Sequence, residues 1–294
     1  MHFPVSGVDC SPLLPPLVAF AISSLTASAG ISGAVLLLPF QVSVLGYTSP
    51  GVSPTNLIYN IVAIPGGVYR YFREGRMMWP LTWAVLAGSV PGAIAGAIIR
   101  VLYLPNPRSF KLFAGLVLLF LGGRLLVELL RRPARAGQGR LPPGAVVSTR
   151  LSTLTRVEYT FLGETFSFSP AMMFIVSLVV GVVGGIYGIG GGAFISAFVV
   201  AVLRLPVYTI AGACLFGTFV TSIAGVASFE LLGLSAGPVA RPDWALGSLF
   251  GLGGLLGTYL GARLQKYLPE RWIRLFLGLV INGLALTYIV QFFR

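Results

Sequence analysis

Charge is scarce in this sequence. Asp, Glu, Lys and Arg make up 10% of its 294 residues, where a soluble domain carries about 25%. None of the eight acids falls in the middle of an apolar run, so a carboxylate proton relay has no carrier. Histidine occurs once, as His2. Without a histidine in the body of the chain, a histidine-ligated zinc site, a Ser-His-Asp triad or a Cys-His pair cannot be assembled. The two cysteines, Cys10 and Cys214, give neither metal-ligand spacing nor C-x-x-C, and no disulfide is expected between them. These absences argue against an enzyme and imply no metal and no cofactor.

What the sequence has is apolar length. Apolar residues make up 56% and the mean hydropathy is +0.89. Apolar runs cover 13–46, 54–72, 79–104, 110–130, 170–205, 207–232, 244–262 and 272–293. A span needs about 20 such residues to cross a hydrocarbon core of ~30 Å. The chain therefore reads as an all-α polytopic membrane protein, with the lipid bilayer as its surroundings. The first 30 residues lack a basic leader and stay apolar beyond the usual signal core, so a cleaved signal peptide is not expected. The net charge of +12 comes from cations lying mostly between runs and near their ends. The positive-inside bias accounts for that placement, and nucleic acid is not an expected partner. Nothing in the sequence assigns an oligomeric state.

The two halves of the chain match. Gly30-Ile31-Ser32-Gly33-Ala34 returns as Gly188-Ile189-Gly190-Gly191-Gly192-Ala193. A shift of 158 places Asn56 on Cys214, Asn60 on Thr218 and Gly67-Val68 on Gly225-Val226. "LYLP" at 102–105 answers "KYLP" at 266–269, and "KLFAGLVL" at 111–118 answers "RLFLGLVI" at 274–281. Ordered landmarks of this kind indicate a duplicated unit, as in many secondary transporters. Residues 1–130 form the first repeat and 170–294 the second. Between them, 131–169 is a basic, breaker-rich linker whose "VEYTFLGETFSFS" alternates like a short β-hairpin on the membrane surface; an irregular connector is the alternative.

Runs 13–46 and 170–205 are too long for one crossing and are interrupted by glycine clusters. Each is either one overlong broken helix or a helical hairpin. Positive charge chooses between these. If each long run crosses once, the Lys and Arg residues divide 12 against 8; if each folds back, 15 lie on the linker side and 5 opposite. The second, more lopsided division is the one expected of cytoplasmic loops. It predicts inverted repeats, each a glycine-broken first helix or hairpin followed by three transmembrane helices, with the linker in the cytoplasm and both termini outside.

At a break in membrane depth, backbone must be buried in protein or line a wet cavity. A half-helix that starts there presents N–H groups and the positive end of its dipole, which suit an anion without any side-chain cation. The candidate substrate-binding residues are therefore Gly30, Ser32, Gly33 and Ala34 at the first break, and Gly188, Gly190, Gly191, Gly192 and Ala193 at the second. Asn56 and Asn60 lie four apart on one helical face, as do their repeat partners Cys214 and Thr218, with Thr221 and Ser222 following. Their amides and hydroxyls could donate to an oxyanion; hydrogen bonding between helices is the competing reading. Cys214 alone reads better as a small buried residue. Gly181, Gly184 and Gly185, with Gly88, Gly92 and Gly96 and with Gly251, Gly254, Gly257 and Gly261, read as helix-packing glycines. Arg100 and Arg263, near matching run ends, read as snorkelling or interfacially paired cations.

"GVVGGIYGIGGGAF" followed by "LRLPVYTIAGACLF" resembles the second-repeat signature of the TauE/SafE sulfite exporter family, and "GISGAVLLLPF" with "SPTNLIYN" resembles its first. Ser32 stands where glycine is usual and Cys214 where serine is common. The resemblance implies a multi-pass transporter of the bacterial inner membrane. It implies transport, often outward, of small sulfur-containing anions such as sulfite, sulfoacetate or other organosulfonates. The alternatives are an anion channel, or a transporter of another small carboxylate or oxyanion.

Overall fold

The computed structural model describes residues 1–28, 32–75, 77–131, 148–153, 155–161, 163–201, 203, 205, 207–264 and 270–294. A two-stranded hairpin, β1 (His2–Phe3) and β2 (Val8–Asp9), precedes α1 (Leu14–Ser28) and α2 (Ala34–Ser43). α3 (Val52–Ala63), α4 (Pro65–Arg73), α5 (Trp79–Leu102) and α6 (Pro107–Arg131) follow. After a sheet of β3 (Ser148–Ser152), β4 (Val157–Phe161) and β5 (Glu164–Phe168) come α7 (Pro170–Tyr187), α8 (Gly192–Ala201), α9 (Val207–Ala236), α10 (Trp244–Leu264) and α11 (Glu270–Phe293). Among the described residues, five helices are long and apolar enough to cross a membrane: Trp79–Leu102, Pro107–Val127, Pro170–Tyr187, Thr209–Ser235 and Arg271–Phe293. The protein is a mostly helical, multi-pass membrane protein.

Three sequence readings need correcting. The run 54–72 is not one helix. Pro65, which has no N–H to continue the ladder, opens α4 directly after α3, and α4 buries none of its residues. The sheet has a third strand, β3, which alternation did not single out; it pairs antiparallel with β4 across a register shift between Thr149 and Leu151. Arg100 does not snorkel. It is fully buried, donates to Ser53 Oγ at 3.3 Å, to the Ser49 carbonyl at 3.4 Å and to the Leu104 carbonyl, and lies 3.8 Å over the Phe110 ring. Neighbouring loop and helix cover the end of α5, so its guanidinium ties them together instead of reaching solvent. The side chain of Arg263 and the linker segment 132–147 lie outside the described residues.

Helix contacts cross between the halves: α1 packs on α10, α7 on α5, and α6 on α11. The glycines explain how closely. A Cβ on Gly253, Gly257 or Gly261 of α10 would strike the carbonyls of Pro16, Phe20 and Ser24 of α1. A Cβ on Gly88, Gly92 or Gly96 of α5 would strike those of Phe174, Leu178 and Val182 of α7. Gly181 and Gly185 return the contact, facing Ser89, Gly92 and Ala93. Between helices in lipid, where no hydrophobic drive favours association, such backbone approach supplies much of the van der Waals attraction. Gly184 differs: its missing Cβ faces the Gly190 carbonyl, inside the turn that follows α7.

The two ends of the bundle are covered differently. At one end Ser6 donates to Asp243 Oδ2 from both its N–H (3.2 Å) and its hydroxyl (2.7 Å), fastening the first hairpin to the start of α10. Asp243 N–H donates to Thr55 (2.8 Å), which also meets Tyr47 OH, so the loop after α2 reaches the same place. At the other end Val157, Tyr159, Phe161 and Phe168 of the sheet share one buried cluster with Met78, Met173, Val199, Leu205 and Ile210. Tyr159 OH bonds Thr209 Oγ1 at 3.0 Å.

Replacing Gly257 with leucine is expected to lower the thermal midpoint of the purified protein in detergent sharply, because only backbone faces that position. Gly283→Ala, at a helical glycine with nothing within 4 Å, is expected to leave it unchanged or raise it.

Candidate functional site

The glycine-rich stretch after α7 is a turn made by positive φ. α7 ends at Tyr187, Gly188 takes φ +90° and Gly190 φ +69°, and α8 starts at Gly192. Both φ values lie where L side chains are disfavoured. Gly188 and Ile189 close the helix by donating to the Gly184 carbonyl at 2.8 and 3.2 Å. Met173 near the start of α7 and Val199 near the end of α8 belong to the same cluster against the sheet. In the first half Ser32, Gly33 and Ala34 lead into α2, with Ala34 N–H donating to Ser32 Oγ at 3.3 Å. Gly30 lies outside the described residues, as does the side chain of Ala193.

The start of α2 and the turn after α7 meet, and side chains stitch them together. Asn56 Nδ2 donates to the Ala34 carbonyl and to the Gly188 carbonyl, both at 3.0 Å. One amide therefore holds the start of α2 and the end of α7. Asn60 Nδ2 donates to the Ile189 carbonyl at 3.1 Å and approaches Ser222 Oγ at 3.4 Å. Thr218 accepts the Gly192 N–H at 2.8 Å and donates to the Cys214 carbonyl at 2.9 Å. All of these side chains are buried, Asn56 and Asn60 completely. Gly33 lets the start of α2 sit against the Tyr59–Ser23 hydroxyl pair, themselves 2.8 Å apart.

The candidates divide. Ala34, Asn56, Asn60, Gly188, Gly192 and Thr218 come together at the junction. Thr221 is drawn away: its hydroxyl bonds Ser89 Oγ at 2.9 Å, joining α9 to α5. Cys214 offers its carbonyl to Thr218 while its residue packs in the apolar cluster with Ile195 and Val85. Gly191 is the least crowded of the second cluster, its nearest neighbour being the Ile195 methyl at 3.3 Å. In this conformation the amides of Asn56 and Asn60 are spent on backbone carbonyls, so a ligand that takes their hydrogens has to displace those bonds.

Three junction residues escaped the sequence reading. Gln41 of α2 donates to Asn56 Oδ1 at 3.1 Å; a lone amide inside run 13–46 was the signal. Tyr187 donates to the Val35 carbonyl at 2.9 Å, a carbonyl whose usual helical donor would be residue 39, which is proline. Ser53 donates to the Ile186 carbonyl at 2.8 Å and accepts from Arg100. Both the Tyr187 and Ser53 contacts cross more than 130 residues of chain, and no local pattern announces them.

The family model described as Sulfite exporter TauE/SafE matches residues 16–288. That range contains the junction and α2, α3, α7, α8 and α9, which meet there. The chain belongs to the TauE/SafE family. Among its curated relatives, "Probable membrane transporter protein YunE" of Bacillus subtilis (strain 168) is 22% identical over 284 residues, covering 92% of this chain and 94% of the relative. "Probable membrane transporter protein YjnA" of the same organism is 23% identical over 279 residues, covering 92% and 97%. No solved structure matches significantly.

Gly192→Ala is expected to cripple folding or transport, because its Cβ would enter the space of Thr218 Oγ1 and the Cys214 carbonyl. Gly191→Ala needs only a small shift of the Ile195 methyl and is expected to retain most activity. Yield of monodisperse protein and transport by the two variants check the contrast.

Proposed function

We propose that this TauE/SafE family transporter is a secondary carrier that exports small sulfur-containing anions such as sulfite, sulfoacetate or other organosulfonates. It works by alternating access around the junction of the two glycine turns. The observation that carries the reading is that junction: one break from each half of the chain, held together by the Asn56 amide. The starts of α2 and α8 bring the positive ends of helix dipoles toward it. Ser32, Gly33, Ala34, Gly191, Gly192 and Ala193 would supply backbone donors, and Asn56, Asn60 and Thr218 side-chain donors, once their present bonds are exchanged for the substrate's oxygens.

Packing supports inverted repeats. The shift of 158 carries Pro16, Phe20 and Ser24 onto Phe174, Leu178 and Val182, the very carbonyls that meet the two glycine rows. A single further shift of 165 carries Gly88, Gly92 and Gly96 onto Gly253, Gly257 and Gly261. Each half thus lends its first helix to the other half's glycine row. Matched helices run oppositely. Gly225 of α9 meets Leu57 while Gly67 meets Leu215, and Gly115 of α6 meets Ala285 while Gly122 meets Ile281. Each long run would then be a re-entrant hairpin, as the charge count favours. The sheet, with the linker, would face the cytoplasm, and both termini the outside of the bacterial inner membrane.

In proteoliposomes, radiolabelled sulfite or sulfoacetate is expected to show saturable flux and counterflow, with loss in Gly191→Leu and Asn60→Leu. Flux unchanged in both variants would remove the junction as the substrate site, and large single-channel currents would replace the carrier with a pore. For topology, an impermeant maleimide on intact cells is expected to label Tyr103→Cys and spare Thr155→Cys, both at exposed positions. The opposite pattern reverses the orientation.

A further inference from the structure

We infer that the junction also binds a small monovalent cation, anchored by Asn60 Oδ1. Its role in coupling transport rests on the transporter reading; its binding does not. The argument starts from amide orientation. Asn56 Nδ2 has to face the Ala34 and Gly188 carbonyls, since turning the amide would set oxygen against oxygen. Asn56 Oδ1 must then accept from Gln41 Nε2, which leaves Gln41 Oε1 over. Asn60 is fixed in the same way by the Ile189 carbonyl, which leaves Asn60 Oδ1 over. Among the described residues neither leftover oxygen has a hydrogen-bond partner, and both residues are 0% exposed. Buried acceptors without a donor are costly anywhere and most of all in a membrane interior, where no bulk water substitutes.

The surroundings of Asn60 Oδ1 suit positive charge. α7 ends at Tyr187, so the negative end of its dipole points here, and the carbonyls of Gly188 and Ile189 each have two lone pairs, of which an Asn amide takes one. Ser222 Oγ adds a hydroxyl oxygen at 3.4 Å from Asn60 Nδ2. Arg100 reaches α3 at Ser53; Asn60 stands seven residues further along, roughly 10 Å by helical rise. Every oxygen at the junction is neutral, which fits a monovalent ion better than a divalent one that needs carboxylates. No group of His, Cys, Asp or Glu able to hold a metal occurs among the described residues. Unwound carbonyls beside a half-helix C-terminus are a recurring way for secondary transporters to hold a driving cation. The same turn thus offers carbonyl oxygens to a cation on the α7 side and N–H groups to an anion on the α8 side.

Sodium is the probe. Purified wild-type protein in detergent, in choline chloride of matched ionic strength, is expected to bind radioactive sodium saturably, displaced by unlabelled sodium and not by choline. Asn60→Leu should lose this binding. Asn60→Asp, which keeps the oxygen and adds charge, should bind more tightly and in a pH-dependent way. If Asn60→Leu does not yield monodisperse protein, the other two proteins decide. Absence of saturable binding by the wild type would mean that water satisfies the leftover oxygens and would overturn the site, as would unchanged affinity in Asn60→Asp. Anion flux equal in sodium and in choline would overturn the coupling role while leaving the transporter reading intact. Sodium binding without any anion flux would do the reverse.

Discussion

The Asn56 amide donates to two backbone carbonyls at once, one of them left without a helical donor and, inside a membrane, without water to turn to. One of them, on Ala34, begins the short second helix; the other, on Gly188, ends the seventh. An amide is the side chain that can do this, because it brings two N–H groups from one nitrogen without the desolvation cost of a charge. Tyr187 and Ser53 repeat the logic with hydroxyls on the Val35 and Ile186 carbonyls. Apolar packing could press the two turns together, but it could not satisfy their backbone. The close approach at the centre therefore depends on these few polar side chains.

The glycine rows serve the same arrangement from outside. By removing Cβ atoms where α5 meets α7 and α10 meets α1, they let helices from different halves approach at backbone distance. Dispersion between closely packed backbones is a major cohesive force available between helices in lipid. Pairing across the halves fixes where α7 ends, and side-chain bonds bring that end and the start of α2 to a common point. Rows of glycines and a pair of turns are thus parts of one constraint.

Much of this was legible in the sequence, because membrane burial writes itself in composition. The apolar runs and the packing glycines follow from patterns of a few residues. What was not legible has a common cause. Pro65 divides a run that hydropathy joins, since proline is apolar and hydropathy cannot sense a missing N–H. Arg100 is buried because the residues that enclose it, Ser49, Ser53 and Phe110, come from elsewhere in the chain. Thr221 and Asn60 look alike in a polar-residue scan, yet one bonds Ser89 between helices and the other a freed carbonyl; only the rotation of α9 and α3 separates them.

The present bonds of the junction bear on how it would move. An amide that holds two backbone carbonyls stabilises this arrangement, and an anion of the proposed kind would compete for its hydrogens, not for its oxygens. Binding an anion would therefore loosen the tie between the two turns, since Asn56 cannot serve the Ala34 carbonyl, the Gly188 carbonyl and an oxyanion with two N–H groups. The proposed cation at the leftover oxygens would act in the opposite sense, because it would neutralise carbonyls that the amides otherwise have to satisfy. The two ligands would then be linked through one hydrogen-bond inventory: the cation releases the amides, and the released amides receive the anion. Coupling of this kind needs no titratable side chain in the membrane, in keeping with a sequence whose apolar runs hold no acid at their centres.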